Sequence, residues 1–234
     1  MIGKGKSISH GVAALEYDLA KEINGQAVAT EIARHELYGC TGAEMVQEMK
    51  PYHIDFPNVK NNCLRFEVSP SIEESATFTD ADWAELGNDF MQRMGLANHQ
   101  YIIIRHSGTE SKKEQAHLHI LANRVSLSGE LYRDNWIGKK ATEAANAIAK
   151  ERNFVQSQDI GKVNKAEIKE AMDGVLKKMQ GFDFTKFKEE LGKRGFKVRE
   201  ARASTGKLNG YYVTARSGTE YKACLLYTSP SPRD

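Results

Sequence analysis

The stretch from Tyr101 to Val125 constrains this fold more than any other. Tyr101-Ile102-Ile103-Ile104-Arg105-His106 reads as an apolar strand and His117-Leu118-His119-Ile120-Leu121-Ala122-Asn123-Arg124-Val125 as a second, joined by the polar run Ser107 to Ala116. Side chains alternate between the two faces of a strand, so His117 and His119 point the same way, about 7 Å apart along the backbone. A hairpin would return His106 beside that pair. Three neutral imidazoles converging on one point are a way to hold a metal ion with open positions left for substrate. The same spacing also fits histidines that simply face water from one side of an antiparallel sheet.

The segments around this hairpin alternate between helix and strand patterns. Ile8 to Glu22 has the period of a helix, with Ser7 or Ser9 as its cap and Val12, Leu15 and Leu19 on one face. Tyr17 lies about 200° round from Leu15 on that wheel, among Ala13, Ala14, Ala20 and Lys21. It has clearance and a cation one turn away, which suits a nucleophile as well as a packing tyrosine. Thr41 caps a helix from Gly42 to Lys50 that Pro51 would close. Asn62 to Ser69 alternates as a half-buried strand, with Leu64, Phe66 and Val68 inward and Arg65, Glu67 and Ser69 outward. Thr79 caps a helix from Asp80 to Met94 whose core stripe is Trp83, Leu86, Phe90 and Met94, stopped by Gly95.

Trp136 to Arg152 and Asn164 to Gln180 are basic helices. A small unit follows, in which Phe184, Phe187 and Leu191 stripe a helix, and two strands, Phe196 to Ala203 and Tyr211 to Ala215, flank a turn. Lys193, Arg194, Lys197, Arg199, Arg202 and Lys207 crowd this helix-hairpin. That density of cations beside aromatic rings suits a nucleic-acid backbone. The expected fold class is therefore α+β, an antiparallel sheet flanked by helices, followed by further helices and the helix-hairpin unit. Residues 1–155 form the first domain, and 156–223 the basic helical segment with its hairpin.

Charge separates along the chain. Residues 1–137 carry 13 Lys/Arg against 19 Asp/Glu, whereas 138–223 carry 19 against 11. A basic second half points to an anionic partner, although a solvated lysine-rich face gives the same count. No apolar run is long enough to span a bilayer and no secretory h-region follows Met1, so a cytoplasmic protein is expected. Cysteines at 40, 63 and 224 lack metal-type spacing and suit a reducing compartment. Gly3-Lys4-Gly5-Lys6-Ser7 ends like a phosphate-binding loop but lacks the earlier glycine and the preceding strand, which excludes an NTPase. Residues 224–234 look like translated sequencing adapter and are set aside; the natural chain is expected to continue beyond Ala223.

Four segments together resemble the relaxase and mobilisation nucleases of the HUH single-strand DNA endonuclease superfamily. They are Leu15-Glu16-Tyr17-Asp18-Leu19, Phe66-Glu67-Val68-Ser69-Pro70, Arg105-His106, and the His-x-His strand ending in Asn123-Arg124-Val125. Members often have Asp shortly after the first histidine and Pro before the pair, where this chain has Ser107, Gly108 and Ala116. The resemblance implies an HUH endonuclease-like sheet and a metal-dependent DNA strand transferase. Tyr17 would attack a phosphodiester at an origin of transfer, leaving a 5′-phosphotyrosine link and a 3′-hydroxyl. His106, His117 and His119 would hold a divalent ion, Mg²⁺ or Mn²⁺ rather than Zn²⁺, and Glu67 would assist proton removal. The implied partners are single-stranded DNA and accessory mobilisation proteins. The residues leave two other readings open: a three-histidine hydrolase using metal-bound water, and a non-catalytic DNA-binding module.

Overall fold

The computed structural model describes residues 1–108, 115–203, 206, 208–216 and 218–226. The chain divides into two compact units, 1–157 and 158–234.

In the first unit, β1 (Ile2–Ile8) leads into α1 (Gly11–Leu19), and a short hairpin of β2 (Glu22–Ile23) and β3 (Gln26–Ala27) precedes β4 (Ala29–His35). Then come α2 (Gly42–Met49), a 3₁₀ turn at Lys50–His53, β5 (Cys63–Ser69), α3 (Ile72–Ser75) and α4 (Asp80–Arg93). The histidine hairpin is β6 (His99–His106) and β7 (His117–Ser126), and α5 (Ile137–Glu151) closes the unit. Five strands form one antiparallel sheet in the order β1-β5-β7-β6-β4. The α+β class expected from the sequence is the class observed.

Alternation divides the sheet into two faces. Leu64, Phe66, Val68, Ile103, Leu118, Ile120 and Ala122 pack against Trp83, Leu86 and Phe90 of α4 and Ala141, Ala145 and Ile148 of α5. The opposite face, with Cys63, Ile102, Ile104 and Leu121, packs under Ala14 and Leu15 of α1 and Met45, Val46 and Met49 of α2. His106, His117 and His119 lie at the end of this second face, beside α1.

Local chemistry explains the helix starts. Thr41, Ser71 and Thr79 each accept from the backbone N–H three residues on, while Glu44, Glu74 and Asp82 reach back to the cap N–H, three reciprocal capping boxes. α1 differs from expectation: it begins at Gly11, its cap is His10, and no side chain caps it. Ser7 fails as a cap because residues 2–8 are spent in β1, and Ser9 because the helix starts two residues later at Gly11, with His10 in the cap position. That strand escapes periodicity because its inward positions are Gly3 and Gly5. A Cβ on Gly3 would stand 2.4 Å from the carbonyl oxygen of Ala141, and one on Gly5 would meet Phe66 at 2.8 Å. Helix α5 lies directly on the strand, so the Gly-Lys-Gly-Lys run is a packing surface on one side, with Lys4 and Lys6 exposed on the other. Pro51 does not end the helical path; it occupies the first turn of the 3₁₀ segment, where its missing N–H costs nothing.

The second unit contains α6 (Ser157–Leu176), α7 (Phe184–Lys193) and a three-stranded meander of β8 (Lys197–Arg202), β9 (Leu208–Thr214) and β10 (Glu220–Lys222), followed by a 3₁₀ turn at Ala223–Leu226. α6 starts at Ser157, seven residues earlier than the apolar period suggests. Ile168, Met172 and Val175 of α6 meet Phe187, Leu191, Phe196, Val198 and Val213 in a separate core. Among the described residues, no helix is long and apolar enough to cross a membrane.

Candidate metal and nucleophile site

The register of the hairpin sets His106 directly opposite His117 and Ile104 opposite His119. The three rings therefore meet: His106 lies 5.4 Å from His117 and 4.4 Å from His119 between centroids, and His117 lies 4.9 Å from His119. One ligand nitrogen from each falls within 4.8 Å of the others. Small rotations bring such nitrogens to a shared ion at ordinary metal–nitrogen distances of about 2 Å. Burial favours the neutral rings. It pulls His106 below the usual imidazole range and His119 down to about 2, with the neighbouring imidazoles adding to both shifts. Neutral nitrogen donors are the form a metal ion needs, so the residues fit one.

The ring orientations have identifiable partners. His106 Nε2 is 2.7 Å from the backbone carbonyl of Asp18. A carbonyl only accepts, so Nε2 carries the proton and Nδ1 offers the lone pair. His117 Nδ1 faces the Gln115 carbonyl at 3.2 Å, which leaves its Nε2 as the free donor atom. Outer partners of this kind orient metal-binding imidazoles.

Asp18 and Arg65 are the residues that the sequence reading missed. Asp18 is only 1% exposed, on the inner face of α1, and its carboxylate takes two hydrogen bonds from Arg65, Nε–Oδ2 at 3.0 Å and Nη2–Oδ1 at 2.5 Å. Burial raises the Asp18 carboxyl above its usual range, and the Arg65 hydrogen bond opposes that rise. The available signal was position: Asp18 falls three residues after the buried Leu15, one turn along the same helix face.

Tyr17 precedes Asp18 on α1 and is 56% exposed, its phenol oxygen accepting from Lys21 Nζ, which also lies 4.7 Å from the ring centroid. Glu67 faces His119 across the β5–β7 pair and binds Lys4 at 2.9 Å. A cleft of about 220 Å³ beside Glu67 and His119 is lined by these two residues and by Lys4, Lys6 and Arg65. Three cations and one carboxylate there favour an anionic occupant.

Asn123 and Arg124 do different work. Asn123 is fully buried; it takes hydrogen bonds from Val125 N and from His53 Nε2, and donates to Gln100 Oε1 and the Met49 carbonyl. Arg124 donates to the Asn61 and Tyr132 carbonyls and to Asp134. This end of β7 ties the 3₁₀ turn and the following loop to the sheet.

A family model for the nuclease domain of MobA/VirD2-like relaxases matches residues 17–154. The chain belongs to that relaxase family. No curated protein matches it. Solved structures of a conjugative relaxase, TrwC, in complex with oriT DNA resemble it at low identity. The metal-bound form is 11% identical with a TM-score of 0.39, and the metal-free form is 10% identical with a TM-score of 0.40. Each alignment covers 88% of this chain and 74% of TrwC's.

The relaxase chain's basic cluster lies wholly in the second unit. Lys193 pairs with Glu190, Arg202 with Glu200, and Arg199 binds Glu220 through two nitrogens while stacking 4.4 Å over Tyr212. Arg194 donates to the Ala171 carbonyl. Lys197 is exposed, on the same strand as Arg199. Lys207 lies outside the described residues.

Proposed function

We propose that this relaxase cuts one strand of DNA at an origin of transfer, with Tyr17 as nucleophile and a divalent ion on His106, His117 and His119. The observation that carries the reading is the continuity at residues 17 and 18. The candidate nucleophile is followed by the residue whose carbonyl and carboxylate support the histidine cluster, so one turn of α1 sets both halves of the site.

The chemistry follows from what each group can do. The exposed Tyr17 oxygen attacks the phosphorus and the 3′-oxygen leaves, so the strand end stays on the protein as a 5′-phosphotyrosine. The bond energy is kept in that link, and rejoining needs no nucleotide cofactor. Lys21, at the phenol oxygen, counters the negative charge that develops as the proton departs. Glu67, opposite His119 and paired with Lys4 at the cleft, is the carboxylate assigned to take that proton. Lys4, Lys6 and Arg65 take the flanking phosphates. When bound, a divalent ion on the three histidines would supply Lewis-acid stabilisation of the charge developing at the scissile phosphate. Three nitrogen donors suit Mn²⁺ better than Mg²⁺, which prefers oxygen. The cations of the second unit are a further contact for single-stranded DNA, in the cytoplasm and with accessory mobilisation proteins as partners.

The test is cleavage of single-stranded DNA spanning the sequence that flanks the gene. Cleavage in Mn²⁺, abolished by EDTA and by His119→Ala, is expected. Cleavage that survives EDTA would remove the ion from the account, and cleavage leaving no protein on the DNA would favour a hydrolase.

A further inference from the structure

His119 is flanked by two groups that demand opposite proton positions. Arg65 Nη2 lies 3.4 Å from its Nδ1. A guanidinium only donates, so Nδ1 accepts and the ring proton sits on Nε2. There it faces His117 Nε2 at 3.1 Å, which accepts because His117 Nδ1 gives its own proton to the Gln115 carbonyl. In this arrangement His119 has no lone pair on Nε2, and its N–H occupies the lone pair of His117. Two of the three ligand atoms are closed to an ion.

The alternative partner is already in place. Asp18 Oδ1 is 3.8 Å from the same Nδ1, and a carboxylate only accepts. With Asp18 as partner the proton belongs on Nδ1, and both Nε2 lone pairs turn toward the ion. Arg65 Nη2 and Asp18 Oδ1, bonded to each other at 2.5 Å, therefore compete for one ring nitrogen. We propose that the Asp18–Arg65 pair sets the tautomer of His119 and so gates metal loading. Arg65 holds the closed form, and Asp18 supports the loaded one. The change moves one proton from Nε2 to Nδ1 of the same ring through water, so no proton is released and the charge is conserved. Asp18 is thus a positioning residue for two ligands, through its carbonyl to His106 and its carboxylate to His119. The inference rests on the three histidines being a metal site.

The experiment is ring-¹⁵N histidine NMR on the full chain, in EDTA and with Zn²⁺ as a diamagnetic probe. The ion-free protein should show His119 as the Nε2–H form, and zinc should convert it to Nδ1–H with Nε2 coordinated. Arg65→Leu should shift the ion-free ring toward Nδ1–H, whereas Asp18→Asn should weaken zinc binding about 10–100-fold and leave the ion-free tautomer on Nε2. A purely structural ion pair would alter folding in both variants and move neither tautomer. An ion-free ring already in the Nδ1–H form, or zinc bound through Nδ1 of His119, overturns the proposal while leaving the metal site standing. Zinc that perturbs none of the three rings overturns both. If Arg65→Leu does not fold, the wild-type spectra with and without zinc decide alone.

Discussion

At the scale of single residues, the site depends on keeping imidazoles neutral under burial. His99, His106 and His119 all titrate below the ordinary imidazole value, each chiefly through desolvation. The unfolded chain therefore takes up more protons as pH falls through about 6.5, and the folded state loses stability there. His119, whose imidazole burial holds lowest, contributes to that loss as the pH falls below about 6.5. Urea unfolding of the ion-free protein should therefore show lower stability at pH 5.5 than at 7.5. Equal or greater stability at the lower pH would contradict the burial argument. Lys21→Ala should slow nicking by about tenfold or more with little change in DNA affinity, since the ammonium faces charge that appears only during attack. A loss of affinity at an unchanged rate would reassign Lys21 to DNA binding.

At the scale of elements, the close approach of α5 to β1 is the feature on which the sheet edge depends. Gly3→Ala should cost about 1–3 kcal/mol, because the new carbon meets backbone of α5 that cannot step aside. Gly138→Ala, on the same helix with its nearest neighbour at 3.5 Å, should be neutral or stabilising by up to about 1 kcal/mol. Thermal unfolding of the two variants tests the contact; similar midpoints would show that the helix is not seated as described. The same contact explains what the sequence conceals. The histidine hairpin was legible because β6 and β7 are interior strands with apolar runs, Tyr101 to Ile104 and Ile120 to Ala122, bounded by polar residues. β1 was not, because glycines replace apolar residues wherever a helix presses closest, and glycine-rich runs read as loops. β4 hides for another reason: Ala29-Thr30-Glu31-Ile32-Ala33-Arg34-His35 is a half-exposed edge strand with a register shift between Glu31 and Ala33. The helix period could mark Asp18 as inward-facing, but not as a site residue, because its partner Arg65 is 47 positions away.

At the scale of the whole molecule, the acidic and basic halves of the sequence describe two units with different work. The nuclease unit places Lys4, Lys6 and Arg65 at the cleft, while the second unit carries Lys197 and Arg199 on an exposed strand, Arg199 already stacked on Tyr212. Lys197→Ala combined with Arg199→Ala should reduce the salt dependence of single-stranded DNA binding by about 1.4 in log–log slope, with the cleavage rate at saturating DNA unchanged. An unchanged slope would remove this surface from the DNA path. The central claim is that α1 supplies the nucleophile to a site whose other half is the histidine hairpin. The most direct measurement is peptide mapping of the covalent product formed from the flanking single-stranded DNA in Mn²⁺. The account predicts an SDS-resistant adduct whose nucleotide is attached to the peptide containing Tyr17, and none with Tyr17→Phe. An adduct that persists in Tyr17→Phe, or maps to another residue, would contradict it.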